Sequence, residues 1–329
     1  MERLLLIGLF VIFGVITLLV VGNGLWNRRY NNPAEDVPAT DADLLTHGIK
    51  TIQANGLRFA YRDAGNAESA LVVLLHGFPE TADCFEAMLT ALAKAGYYAV
   101  APYMRGYYPT DIPASGDYAP LTLGADVIAL IDAFHRKTAI VIGHDWGAVA
   151  AYAAANLDPA RVEKLVAISI PHPATVSLSL NTLRRAPHFV QLSAGFLSEF
   201  LARRDNFAYI DHLYAFWSPH WTPSAAEMTS IKTDFARAGR LRAALGYYTS
   251  LFADRLNRQH TAILNKPITV PTLAFVGEDD NADPSWFDRS SLFTAGYQLY
   301  RVHEAGHFLP QEAAPFLMEH ILRFIGMPA

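Results

Sequence analysis

The chain carries a single cysteine, Cys84, in 329 residues. That excludes an internal disulfide and any multi-cysteine metal site. Charge is scarce as well: Asp, Glu, Lys and Arg make up 17% of the residues, against roughly 25% in ordinary domains. The 26 Lys and Arg fall short of the 31 Asp and Glu, giving a formal net charge of −5. With no strongly basic stripe, nucleic acid is excluded as a partner. The twelve histidines have no cysteine support, so neither a metal nor a cofactor is expected. Internal repeats and low-complexity stretches are missing too. Apolar side chains are what the sequence has in abundance. At 52% hydrophobic residues the chain has ample surface to bury, which excludes disorder.

Part of that excess is concentrated at the N-terminus. Residues 4–21 read LLLIGLFVIFGVITLLVV, with no charge and nothing more polar than Gly8, Gly14 and Thr17. As a helix this run would be about 27 Å long, close to the hydrocarbon thickness of a bilayer. It exceeds the apolar region usual in a signal peptide, and no small-x-small cleavage site follows. Trp26 and Tyr30, beside Arg28 and Arg29, stand where interfacial residues anchor a span. The expectation is a membrane location: a single-pass anchor over residues 1–24, with the flanking arginines favouring a cytoplasmic catalytic part. Residues 25–46, with Asn31-Asn32-Pro33, Pro38 and several acids, read as a linker.

From residue 47 short β-branched runs alternate with longer helical stretches. Residues 51–53 and 57–61 flank Asn55-Gly56, a strong hairpin signal. Apolar runs at 70–77, 97–102, 139–143, 164–170, 272–277 and 297–302 read as strands. Helical patterns fill 84–95, 123–136, 147–156 and 312–325. This alternation predicts an α/β fold with a mostly parallel, doubly wound sheet, built from residues 47–173 and 268–329. The stretch 174–267 lacks strand runs, is rich in aromatics, and reads as an inserted helical cap. It holds 11 Lys+Arg and 6 Asp+Glu, hence about +5, leaving the remainder at about −10.

Two motifs follow strands directly. Gly143-His144-Asp145-Trp146-Gly147 joins the strand 139–143 to a helix, and glycines at both ends suit a sharp elbow. The central residue of such an elbow projects over the carboxyl end of the sheet, where open α/β sheets bind ligands. Here that residue is Asp145; alternatively it merely caps the helix. His76-Gly77-Phe78-Pro79-Glu80 ends another strand, and a loop in this place lends one oxyanion-hole N–H while the residue after the nucleophile lends the other. These would be the amides of Phe78 and Trp146, with His76 ordering the loop.

An acid and a histidine follow later strands. Glu278, Asp279, Asp280 and Asp283 are all candidates for the acid, and His307 for the base. His303 is a rival base that reads as packed at the end of its strand. The order nucleophile, acid, histidine is that of a hydrolase triad. The remaining histidines, among them His188, His212, His220 and His260, read as isolated surface or core residues.

Taken together, H-G-F-P-E, Arg105-Gly106-Tyr107, G-H-D-W-G-A and G-H-F-L-P-Q-E resemble the epoxide hydrolase branch of the α/β-hydrolase superfamily. The resemblance covers about residues 50–326. It implies Asp145 as nucleophile, Asp280 as the acid, His307 as the base and cap tyrosines as proton donors. Leu245-Gly246-Tyr247-Tyr248 resembles the family's Asn-Trp-Tyr-Arg stretch and points to Tyr248, although Gly246 and Thr249 replace Asn and Arg. Tyr209 and Tyr214 are both candidates for a second donor.

A carboxylate nucleophile suits attack on an sp³ carbon, because the ester it forms can be hydrolysed at its own carbonyl. The expected reaction opens a small apolar epoxide to a vicinal diol. Dehalogenases share the nucleophile and are the alternative enzyme reading; a non-catalytic hydrolase-fold binding protein is the alternative outside catalysis.

Overall fold

The computed structural model describes residues 25, 26, 28–32, 35–176 and 187–326. A short helix, α1 (Asp41–Thr46), precedes a hairpin of β1 (Lys50–Ala54) and β2 (Leu57–Ala64), which turns at Asn55-Gly56 with positive φ at both residues. Strands and helices then alternate: β3 (Leu71–Leu75), α2 (Glu86–Lys94), β4 (Tyr98–Pro102), α3 (Pro120–Ala133), β5 (Ala139–His144), α4 (Trp146–Leu157) and β6 (Val162–Ile168). Five described helices lie between β6 and the next strand: α5 (His188–Ser193), α6 (Phe196–Trp217), α7 (Ala225–Ala236), α8 (Arg240–Arg255) and α9 (Arg258–Leu264). Then come β7 (Thr272–Gly277), β8 (Tyr297–Val302), α10 (Leu309–Glu312) and α11 (Ala314–Ile325).

The eight strands form one sheet in the order β1-β2-β4-β3-β5-β6-β7-β8. Pairing is parallel from β4 to β8, whereas β2 runs antiparallel to both β1 and β4. Every residue of β3, β5 and β7 is buried, as apolar runs covered by helices on both faces require. The Ala-rich α4 allows close packing: a side chain at Gly124 of α3 would meet the backbone of Ala154 at 2.7 Å. β6 ends two residues earlier than its apolar pattern suggests, because Ser169 takes a left-handed backbone with φ of 64° and turns the chain away.

Helix α6 is interrupted at Arg204–Phe207, where three successive residues adopt positive φ. Residues that read as a linker pack against these helices. The Tyr30 carbonyl accepts from the Gly239 amide at 2.9 Å, and Asp36 pairs with the buried Arg240 at 2.8 Å.

The expected membrane location is corrected. The proposed span over residues 4–21 lies outside the described residues, and no helix among the described residues is long and apolar enough to cross a membrane.

Candidate active site

Asp145 occupies the elbow between β5 and α4 with φ of 50° and ψ of −119°. The glycines around it permit close approach rather than special dihedrals. A Cβ on Gly143 would lie 2.2 Å from the Gly147 carbonyl oxygen, and one on Gly147 would lie 1.9 Å from that of Leu75. Without them the elbow could not press against β3 and hold the carboxylate over the sheet.

One oxygen of Asp145 accepts the Phe78 amide at 2.8 Å. Its other oxygen lies 3.5 Å from Nε2 of His307, and Nδ1 of the same ring is 2.9 Å from Asp280 Oδ2. Nucleophile, ring and acid thus stand in line. Burial opposes the charge on His307, but the Asp280 carboxylate and the contacts with Asp145 outweigh it and push the ring up to about 10. Burial likewise opposes charge on Asp145, and the His307 contact and the Phe78 amide hold its carboxyl below the usual range. The resting arrangement is therefore an imidazolium between two carboxylates.

The other candidate acids are placed elsewhere. Asp279 lies 3.6 Å from His220. Glu278 pairs at 2.8 Å with His303, whose side chain is 80% exposed instead of packed. The letters of His303-Glu304-Ala305-Gly306-His307 match a metal-binding H-E-x-x-H, but that motif needs both rings on one helix face. Here the backbone is the end of β8 and a turn, with the two rings on different partners. Among the described residues no group of His, Cys, Asp or Glu is placed to hold a metal ion.

Asp145, Asp280 and His307 open into a cavity of about 380 Å³. Its walls are mostly apolar, from Val149, Ile170, Pro171, Phe189 and Leu251 among others, and helices α5 and α8 supply His188 and Tyr248. The Tyr248 ring packs edge-on against Trp146 at 5.0 Å and Phe78 at 5.5 Å. Burial, reinforced by the Asp145 charge, raises its phenol well above the usual value and keeps it protonated. Tyr209 and Tyr214 are not brought to this cavity. Tyr209 donates to Gln191 Oε1 at 2.7 Å, and Tyr214 stacks on Phe308 at 4.2 Å. Both follow the break at Arg204–Phe207, which no sequence signal reveals.

A family model described as the alpha/beta hydrolase fold matches residues 70–314. Epoxide hydrolase A of Mycobacterium tuberculosis is 30% identical over 322 residues, covering 84% of this chain and 96% of the relative. The chain belongs to the epoxide hydrolase branch of the α/β-hydrolase fold. Epoxide hydrolase 4 of Homo sapiens is 27% identical over 313 residues, covering 91% and 84%. The crystal structure of Epoxide Hydrolase A from Mycobacterium thermoresistibile shares the fold, with a TM-score of 0.74 at 24% identity over 85% of this chain and 98% of that one.

Within that branch the chain's departure at Gly246 has a local cause. At Gly246, a Cβ would collide with the Tyr118 ring at 2.4 Å, so an Asn cannot stand there while Tyr118 does. The neighbouring Tyr247 donates to the Arg105 carbonyl at 2.8 Å, tying α8 to the core. Arg105 itself is locked by two bonds to buried Asp126, at 2.5 and 2.6 Å.

Several supporting residues went unassigned by sequence reasoning. The His307 carbonyl accepts from His144 Nε2 at 2.8 Å and Ser169 Oγ at 2.7 Å, while its amide donates to Trp217 O and Ser218 Oγ. Glu312 accepts the amides of Gly306 and Phe308 on either side. Beneath the ring, His144 Nδ1 lies 3.0 Å from the buried Glu80. Glu80, His144 and Glu312 all fall inside the quoted motifs, which was the available signal. His76 orders its loop as expected, accepting the Met104 amide at 2.9 Å.

Proposed function

We propose that the protein hydrolyses an apolar epoxide to a vicinal diol through a covalent ester on Asp145. The observation that carries this reading is the carboxylate at the elbow, touched by the Phe78 amide on one oxygen and facing His307 with the other. A carboxylate so placed serves as nucleophile toward sp³ carbon. It makes little sense for direct acyl transfer, where a hydroxyl or thiol would stand there. Residues 47–173 and 268–329 form the core that holds the triad, and residues 174–267 cap it.

In the first step an oxygen of Asp145 attacks an epoxide carbon. The carbon–oxygen bond breaks, and the departing oxygen takes the Tyr248 proton. Ester formation removes the negative charge that held the proton on His307. The imidazolium then gives up its proton, which returns to the phenolate, and the ring becomes a base. In the second step neutral His307, oriented by Asp280, takes a proton from water as the oxygen adds to the ester carbonyl. The amides of Phe78 and Trp146 hold the oxyanion, each donor contributing on the order of 3 kcal/mol. Collapse releases the diol, which carries off the proton held by His307, and the new Asp145 carboxyl hands its remaining proton back to the ring.

Mass spectrometry after mixing with styrene oxide tests the scheme. His307→Ala is expected to gain the mass of the epoxide at Asp145, and Asp145→Asn to gain nothing. Diol formation at the wild-type rate in Asp145→Asn would refute the nucleophile. Trp146 and Trp217 line the cavity with indole N–H groups that lack partners, the kind of donor a departing halide needs. Incubation with 1-chlorobutane separates that reading: chloride release faster than diol formation would favour a dehalogenase. No ester with either substrate would leave a binding protein.

A further inference from the structure

We propose that the substrate is an epoxide with a hydroxyl at the far end of its carbon chain, received by the buried carboxylate of Asp254. This rests on the hydrolase reading above and names its substrate class. Asp254 stands near the C-terminal end of α8 and lines the same cavity as Asp145 and Tyr248. On that helix it is six residues beyond Tyr248, a rise of about 9 Å. Leu251 lines the cavity midway between them. Around Asp254 the lining turns polar, with Thr261 of α9 and Asn265 at the end of that helix. A chain held at one end by Asp145 and Tyr248 thus runs past hydrocarbon to a second polar place.

The Asp254 side chain is only 5% exposed. One of its oxygens pairs with Nδ1 of His260 in the first turn of α9, which leaves Oδ2 without a partner among the described residues. Closing the turn between the two helices does not demand this carboxylate. Asn257 already caps α9, accepting the amides of Gln259 and His260 at 3.0 and 3.3 Å. A carboxylate taken out of water is costly unless its oxygens are served. It can only accept hydrogen bonds, so its complement is a donor. A hydroxyl donates one, and no bond is made or broken at Asp254. An ammonium would also be attracted, but it must shed more water to pass Leu251. A carboxylate on the substrate would meet like charge where water is excluded. Asp145, Asp254 and Asp280 line the cavity against the single imidazolium of His307, so the site is set against an epoxy acid.

Three epoxides of one skeleton test this with the full chain: the terminal epoxide of octene, and its two analogues whose far carbon is a primary alcohol or a carboxylic acid. The wild type is expected to favour the alcohol over the alkyl epoxide by about tenfold in kcat/KM, the worth of a hydrogen bond to a charged group. The acid should fall about tenfold or more below the alcohol. The preference should lie in KM, because the contact is remote from the reacting carbon and unchanged as the ring opens. In Asp254→Leu the ratio of alcohol to alkyl epoxide should drop to about one. In Asp254→Asn the ratio of acid to alcohol should rise about tenfold. Equal treatment of the three by the wild type would overturn the inference and leave the hydrolase reading standing. So would variants in which all three slow together at unchanged ratios, the mark of a residue that only closes the turn. Asp254→Asn keeps an oxygen for His260 and decides the matter should the Leu variant not fold by circular dichroism. Hydrolysis of styrene oxide with none of the three opened overturns this inference alone, whereas no hydrolysis of any epoxide overturns both readings.

Discussion

Replacing Gly77 by alanine should remove activity while sparing the fold. Gly77 is outside the left-handed region, so its backbone accepts an alanine. The obstacle is the nucleophile: the new methyl would lie 2.2 Å from Asp145 Cβ, 2.3 Å from its Oδ1 and 2.6 Å from its Cγ. Carbon atoms in folded proteins essentially never approach under 3.0 Å, so either the carboxylate or the 76–80 loop must shift by close to an ångström. Either movement breaks the 2.8 Å bond from the Phe78 amide. A misplacement of about 1 Å costs on the order of 100-fold in rate, and losing one oxyanion donor costs about 100- to 1,000-fold. These describe one displacement and do not multiply, so kcat/KM for styrene oxide should fall by about 100- to 1,000-fold. The stability cost of overpacking is about 1–3 kcal/mol, small enough to leave a folded protein. Single-turnover kinetics and urea unfolding on the same preparation test both halves. A Gly77→Ala variant that keeps more than a tenth of wild-type kcat/KM would refute the close-packed geometry around Asp145.

Two further predictions concern stability. His76 is fully buried, and burial lowers it to about 4 from about 6.5 in the unfolded chain. Its folded-state value lies below the unfolded one, so the unfolded state binds more protons between pH 6.5 and 4. Stability is lost as pH falls through that window, by on the order of 3 kcal/mol for this residue, and His188 acts with the same sign. His307 acts with the opposite sign: raised to about 10, its contribution is present below pH 6.5 and is lost as pH rises through 10. Urea midpoints at pH 7 and pH 5 check the acid limb, and a His76→Asn variant as acid-sensitive as wild type would contradict it. Separately, Arg240→Ala should cost about 3 kcal/mol or more. It would leave Asp36 and the carbonyls of Gly106 and Thr110 without their shared guanidinium. A urea unfolding curve within 1 kcal/mol of wild type would show that Arg240 does not hold α8 to the core.

The core of the fold was legible because it rests on period and punctuation. Continuous apolar runs ending in glycine marked β3, β5 and β7, and Asn55-Gly56 marked the hairpin. That Asp145, Asp280 and His307 come together was legible for a related reason, since each follows a strand end on a turn with a short-range signature. The choice of Asp280 over Asp279 was not local. It depends on which carboxylate of the turn after β7 faces a ring supplied by the turn after β8. The cap was harder still. Its aromatic residues serve as packing and as cavity wall alike, and helical period does not say which. The resemblance points to Tyr248, which lines the cavity, whereas Tyr209 and Tyr214 follow an unusual break in α6 and lie elsewhere.

Burial connects these observations. In water a carboxylate and an imidazole would each keep their usual protonation whatever their neighbour did. Inside this cavity the charge of Asp280, joined by the contacts with Asp145, keeps His307 protonated, so in the proposed scheme esterifying Asp145 removes one of the two supports of that proton. In that scheme the nucleophilic step prepares the hydrolytic step. The same desolvation keeps Tyr248 protonated, ready to donate, and keeps His188 neutral. Opening the cap to water would weaken all three effects at once. A cavity walled by Val149, Ile170, Phe189 and Leu251 is therefore part of the acid–base chemistry as well as the feature that selects an apolar substrate.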